Sequence, residues 1–394
     1  MTINRALVPG STGGLPAHIE QRTRITNRVL RELEQRDTEA FFQRHPEFFR
    51  LVVSRYYPLD EELIGRYADL WDWRQLSWNK GLPWSEALIE RFADHWNWLD
   101  LSANKWLLWS EALIEGYAER WDWLCLSENT ALPWSEALID RYVGRWDWPT
   151  LSMNAVLPWS EALIERYAGR WDWLCLSENT ALPWSEALID RYVEYWNWRA
   201  TIDNGASAGL SGNEALPWSE ALIEHYIGRW NWEDSNGLSE NTVLPWSEAL
   251  IECYADRWNW RYLGGLSDNT GLPWSEVLIE RYAERWSWTG LSQNVGLPWS
   301  EAIIARYENQ WDWERLSWNA VLPWIEALIE RYTDRWDWEG LSQNEGLPWS
   351  EALIDRYADR WDWEGLSQNE GLPWNEALID RYSVPLPVVE FSTT

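Results

Sequence analysis

The chain has 394 residues, 46% apolar and 24% charged, which is ample for a packed core and excludes wholesale disorder or collagen-like structure. Its 63 acidic residues against 33 basic ones give a formal charge of -30, which excludes ordinary binding to a phosphate backbone. Three cysteines without CxxC spacing argue against a disulfide scaffold, and no stretch supplies a signal-peptide core or the roughly 18 apolar residues of a membrane helix, so a soluble, cytoplasmic protein is expected.

Residues 1–57 hold nine Arg and six acidic residues, a net +3 that leaves -33 on the remainder. Residues 15–35 and 41–57 read as helices, the second interrupted by Pro46, with Phe41, Phe42, Phe48, Phe49, Leu51 and Val52 to bury. A repeat array needs a cap at its end, and this segment is expected to be one. The alternative is a small docking domain whose Arg-rich surface meets a partner.

Residues 58–382 are a tandem array. A Trp-x-Trp pair begins at Trp71, Trp96, Trp121, Trp146, Trp171, Trp196, Trp230, Trp258, Trp286, Trp311, Trp336 and Trp361, mostly 25 residues apart. Leu-Ser-x-Asn follows each pair, and Leu-Pro-Trp follows each of those, with Leu107-Leu108-Trp109 alone lacking the Pro. These motifs supply 36 of the 39 Trp residues, leaving Trp78, Trp106 and Trp318 as extras. In the reference unit Leu347 to Asn369, Pro348 suits a first helical turn and Ser350 and Glu351 are polar first-turn residues. Leu353, Ile354, Tyr357, Ala358 and Trp361 then share one arc of a helix of about 14 residues, with Glu351, Asp355, Asp359 and Asp362 on another. Arg356 and Arg360 form a third strip, either solvated or set against the acids of the next repeat in ion pairs worth about 0.2–1 kcal/mol each. The remaining residues are too few for a second full helix, so Asp362 is expected to cap a short 3₁₀ turn through Leu366, with Ser367 and Asn369 bonding the chain reversal.

This period of one long and one short helical element resembles the leucine-rich variant class of α/3₁₀ solenoids, and the resemblance implies architecture alone. The Leu-Ser-x-Asn…Leu-Pro run is also similar to part of a leucine-rich repeat, in which the Asn forms a ladder after a parallel strand. The further apolar residue wanted two before the Leu is instead Arg74, Leu99, Leu124, Pro149, Leu174, Glu339 or Glu364. The fold expected is therefore a mainly α repeat solenoid with one α-helix and one 3₁₀ turn per repeat, the alternative being a strand-plus-helix solenoid.

The gap between the Trp pair and the next Leu is usually two residues but widens at 199–209, 233–237 and 261–265, marking that corner as surface. Residues 383–394 read as an extended tail. Trp361 is expected in the core, with Trp349 and Trp363 near its boundary, where an indole N–H reaches an acceptor. Cys125 and Cys175 share one register and read as small apolar fillers. There is no phosphate loop, nucleophile elbow or metal-binding spacing, so no enzyme activity, cofactor or metal is expected.

The function expected is a non-enzymatic scaffold that recognises protein, in particular a basic partner, over an extended acidic surface; nucleic acid, membrane and small-molecule partners are not expected. Acidic mimicry of DNA and carbohydrate binding by a Trp ladder are the alternatives. Candidate partner contacts are Glu351, Asp355, Asp359, Asp362, Asp203 and Asn204, and the predicted structural core is Leu353, Ile354, Tyr357, Trp361, Leu366 and Asn369.

Overall fold

The computed structural model of the chain describes residues 46–199, 209–232, 237–260, 265–375, 378 and 381–382. The predicted helix at 15–35, the start of that at 41–57, Asp203, Asn204 and the tail 383–394 lie outside the described residues. The described residues are helical, with no strand among them, and fall into two compact units, Met1–Asp172 and Trp173–Thr394. Within each unit the 25-residue repeats stack as a helical solenoid, so the strand-plus-helix alternative does not hold for them.

Most repeats carry two short helices rather than one long helix and a 3₁₀ turn, and at 238–240 and 266–268 a turn stands in place of the second helix. In the reference unit the first spans Glu351–Arg356 and the second Trp363–Gln368. Pro348 stays outside, because the Ser350 hydroxyl accepts the Leu353 N–H at 3.1 Å and makes Ser350 the N-cap. The first helix stops early because an indole competes for its backbone. Trp361 Nε1 donates to the Ile354 carbonyl at 3.2 Å, the acceptor that a continuing helix would have offered to Ala358. Tyr357 then leaves the helical region, and its carbonyl accepts from the N–H groups of both Arg360 and Trp361. The second helix is α rather than 3₁₀ because Asp362 serves it twice. Its carboxylate accepts the Gly365 N–H at 2.8 Å, and its carbonyl accepts the Leu366 N–H at 2.9 Å, an i to i+4 bond.

The predicted core is buried: Leu353, Ile354, Tyr357, Trp361, Leu366 and Asn369 are all nearly inaccessible. The three Trp of each repeat do two jobs. Trp338 packs on Tyr357 and edge-on against Trp361 of the next repeat, at 4.9 and 4.7 Å, and Trp349 packs on Trp361 at 5.0 Å. Their N–H groups meanwhile satisfy backbone carbonyls, Trp349 that of Asn344 at 2.9 Å and Trp363 that of Ala358 at 3.2 Å. The first unit repeats the pattern with Trp134, Trp146 and Trp148 donating to Asn129, Ile139 and Val143.

Successive second helices lie side by side and are tied by the Ser and Asn of Leu-Ser-x-Asn. The Ser342 hydroxyl donates to the Trp338 carbonyl and accepts the Asp362 N–H of the next repeat at 2.9 Å. The Ser342 carbonyl accepts from Asn369 Nδ2 at 2.9 Å, and Asn369 Oδ1 accepts the Gly371 N–H. This is an asparagine ladder built on helices instead of strands. It also accounts for residues 46–57. There Val53 and Ser54 are buried, whereas the expected core residue Leu51 is exposed. Ser54 accepts the Asp72 N–H and the Asn79 side chain, as Ser342 does for Asp362 and Asn369, so this segment occupies the register of a second helix. A π-turn at Phe49–Val53 rotates the chain to place that pair inward.

The insertions shorten the second helix to Gly209–Gly212 or reduce it to a turn, yet keep its first bond. Leu210, Leu238 and Leu266 donate to the carbonyls of Asn197, Asn231 and Asn259 at 2.7–2.8 Å, the contact that Leu366 makes with Asp362. Gly209 rejoins the long insertion to the array at φ +56°, where a Cβ would meet the Asn197 carbonyl at 2.7 Å.

One repeat departs from the indole pattern. The Thr333 hydroxyl donates to the carbonyls of Ile329 and Glu330, and the buried Trp336 Nε1 has no acceptor. Thr333→Ala frees the Ile329 carbonyl for the indole and is expected to stabilise the chain by about 1 kcal/mol. Chemical denaturation checks this; a loss of stability would show that the hydroxyl is the better partner.

Candidate functional site

The acidic side chains fall into three positions. Glu351 and Asp355 are exposed on the first helix and both reach Arg381 of the next repeat, Asp355 at 2.6 Å. The same contact recurs as Arg166 with Glu136 and Asp140 in the first unit and Arg306 with Glu276 and Glu280 in the second. Hydrogen bonds from the Tyr382 hydroxyl and from Arg381 hold the Asp355 carboxyl below the usual carboxylate range. Asp362 belongs to a second position, the N-cap of the second helix, and is not a free surface group. Asp359 lies exposed in a third, the turn between the helices.

Within each unit that third position forms a ridge. In the repeat before Asp359, the carboxylate of Asp334 accepts one guanidinium N–H of Arg360 at 3.1 Å. Another N–H of Arg360 reaches the Thr333 carbonyl, and the guanidinium lies 5.7 Å over the Trp338 ring. Arg120 on Asp94, Arg145 on Glu119, Arg229 on Glu194 and Arg285 on Asp256 repeat the arrangement. In these five pairs the acidic side chains are 72–90% exposed and the arginines only 38–44%. The cations are sunk against indoles and backbone while the carboxylates stand outward, so the ridge meets solvent as negative charge despite being paired. Each pair is too exposed to add much stability, and the ladder sets the register of neighbours.

The register after the second Trp, where the insertions enter, is exposed at Arg74, Leu99, Leu124, Pro149, Glu339 and Glu364, as the sequence indicated. It holds one cluster that the sequence reading missed. The buried Asp100 carboxylate accepts from Arg74 at 3.2 Å and from the Trp78 indole at 2.7 Å, fixing an exposed ring beside a guanidinium. Its signal was an extra Trp followed 22 residues later by Asp. Trp318 stands over the same position of the next repeat, where Gly340 has no room for a Cβ, which would lie 2.7 Å from the indole nitrogen.

The repeat indoles are spent on carbonyls and neighbouring rings. Among described residues the exposed Trp are Trp78, Trp106, Trp318 and Trp374. No group of three His, Cys, Asp or Glu among the described residues is placed to hold a metal ion, and no described helix is long and apolar enough to cross a membrane. No known family, curated protein or solved structure matches this chain.

The cysteines differ in setting. Burial, with the Asp122 side chain as the next cause, pushes the Cys125 thiol up to about 11, whereas Cys253 is exposed at a position where other repeats carry Arg. Only the thiolate alkylates quickly. Near pH 8 Cys253 is expected to react well ahead of Cys125, whose rate keeps climbing toward pH 11; peptide mapping after a timed pulse of iodoacetamide checks this, and equal rates would contradict it.

Proposed function

We propose that this chain is a non-enzymatic, cytoplasmic scaffold whose repeats recognise a basic protein along the acidic ridge. The observation that carries the reading is the outward ridge in each unit, Asp94 and Glu119 in the first and Glu194, Asp256 and Asp334 in the second, over arginines held beneath it. A partner with lysines or arginines at repeat spacing gains one favourable contact per repeat, and many weak contacts add up along an array. The recurring carboxylates of the first helix support the same reading, since they are engaged in inter-repeat pairs rather than gathered around one reacting atom.

The test uses the full chain and a lysine-rich peptide as probe, with affinity followed by calorimetry across a salt series. Affinity is expected to fall roughly tenfold or more between about 0.05 M and 0.5 M salt. Neutralising Asp94, Glu119 and Asp334 to amides should weaken binding more than neutralising Glu128, Glu178 and Glu314, which are exposed away from the ridge. Affinity indifferent to salt, or equal losses in the two variants, would remove the ridge as the binding surface.

A further inference from the structure

The residue after the ladder Asn sits in an exposed loop, and its charge is distributed unevenly along the array. It is Lys80 and Lys105 in the first two full repeats, which are the only lysines in the chain. It is Glu345 and Glu370 in two repeats late in the second unit. Between them it is Thr130, Ala155, Thr180, Glu214, Thr242, Thr270, Val295 and Ala320, and the one carboxylate there, Glu214, accepts from the Thr242 hydroxyl. Each charged pair therefore spans one repeat step, in the same loop and the same register, with opposite sign.

The surroundings match in the same sense. Beside Lys105 stands Trp106, 61% exposed and among the most exposed large apolar side chains described, followed by Leu108, which replaces the Pro of the motif. Arg74 on the second helix and Trp78 at its C-cap, both fixed by Asp100, lead into the Lys80 loop. Beside Glu345 and Glu370 stand the exposed glycines Gly346 and Gly371, and Glu339 and Glu364 occupy the register of Arg74. At the position after the charge, the Lys105 loop thus carries an exposed ring, whereas the Lys80 loop has Gly81 and both glutamate loops have glycine.

We propose that two copies of this chain associate, the Lys80 and Lys105 loops of one docking on the Glu345 and Glu370 loops of the other. Equal spacing lets both lysines meet carboxylates at once, and Trp106 supplies apolar area over the glycine loops. A second copy is the occupant because the complementary surface is present in the same sequence at the same register. Two exposed ion pairs alone contribute little, so burial of Trp106 and Leu108 is required for a stable contact. The contact joins unlike surfaces, so whether association stops at a closed assembly or continues depends on the rotation between copies. This surface is separate from the acidic ridge and does not rest on the ridge binding a basic protein.

Sedimentation velocity on the full chain tests it. The wild type is expected to self-associate with rising concentration at about 0.05 M salt, and to weaken roughly tenfold by about 0.5 M. The double variants Lys80→Glu with Lys105→Glu, and Glu345→Lys with Glu370→Lys, should each be monomeric at concentrations where the wild type associates, and mixing them should restore association. Far-ultraviolet circular dichroism confirms that each variant keeps its helices. A monomeric wild type, charge-reversed variants that associate as it does, or a mixture that stays monomeric would overturn the proposal.

Discussion

A helix of six residues leaves most of its backbone polar groups without partners inside the helix, and this constraint governs the rest of the structure. Buried N–H and C=O groups must be bonded by something, and here side chains supply the partners. Ser350 and Asp362 accept the free N–H groups at the starts of the two helices. Trp361 donates to a carbonyl in the last turn of the first helix, Trp349 and Trp363 donate to carbonyls beyond helix ends, and Asn369 reaches the Ser342 carbonyl across the seam. The abundance of Trp follows from this. Its indole is a donor with no acceptor of its own to satisfy, attached to a large apolar ring, so one residue terminates a helix and fills the seam it terminates against.

Because these partners sit at fixed offsets, most change falls where no bond is at stake, the exceptions being Ile325, which replaces a Ser cap, and Trp336, which lacks its acceptor. Insertions enter between the Trp pair and the Leu, and the Leu N–H still finds the cap carbonyl whether the intervening chain is short or long. Substitutions cluster at Arg74, Leu99, Pro149 and Glu364, which face solvent. Where a variable residue touches the next repeat it meets a residue that leaves it room or a bond, as Trp318 over Gly340 and Trp78 over Asp100 show. The array is thus a conserved bonding frame carrying a surface free to vary in charge and bulk.

The frame was largely legible in the sequence. Leu353, Ile354, Tyr357 and Trp361 announce a buried helical face, and Leu366 and Asn369 continue the core beyond it. The helix length was not legible, because Tyr357 and Trp361 point inward whether the chain remains helical or turns, so apolar spacing runs on past the real end at Arg356. Competition by an indole for a carbonyl leaves no mark in periodicity. The asparagine ladder could be read from its likeness to leucine-rich repeats, but the strand that accompanies it there is absent among the described residues. Of the candidate surface carboxylates, sequence showed the acidic strip without separating its parts. Glu351 and Asp355 bind Arg381, Asp362 caps a helix, and Asp359 belongs to the outward ridge, a division that depends on which side chain lies beneath which.

Exchange of the indole N–H protons, followed residue by residue in a chain labelled at Trp, tests most directly whether the tryptophans hold the backbone together. The account predicts strong protection for Trp349, Trp361 and Trp363 and their hydrogen-bonded counterparts in other repeats, Trp336 excepted, with the exposed Trp106 exchanging fast as an internal reference. Ladder indoles that exchange as fast as Trp106 would mean that the rings merely fill space, and would contradict it.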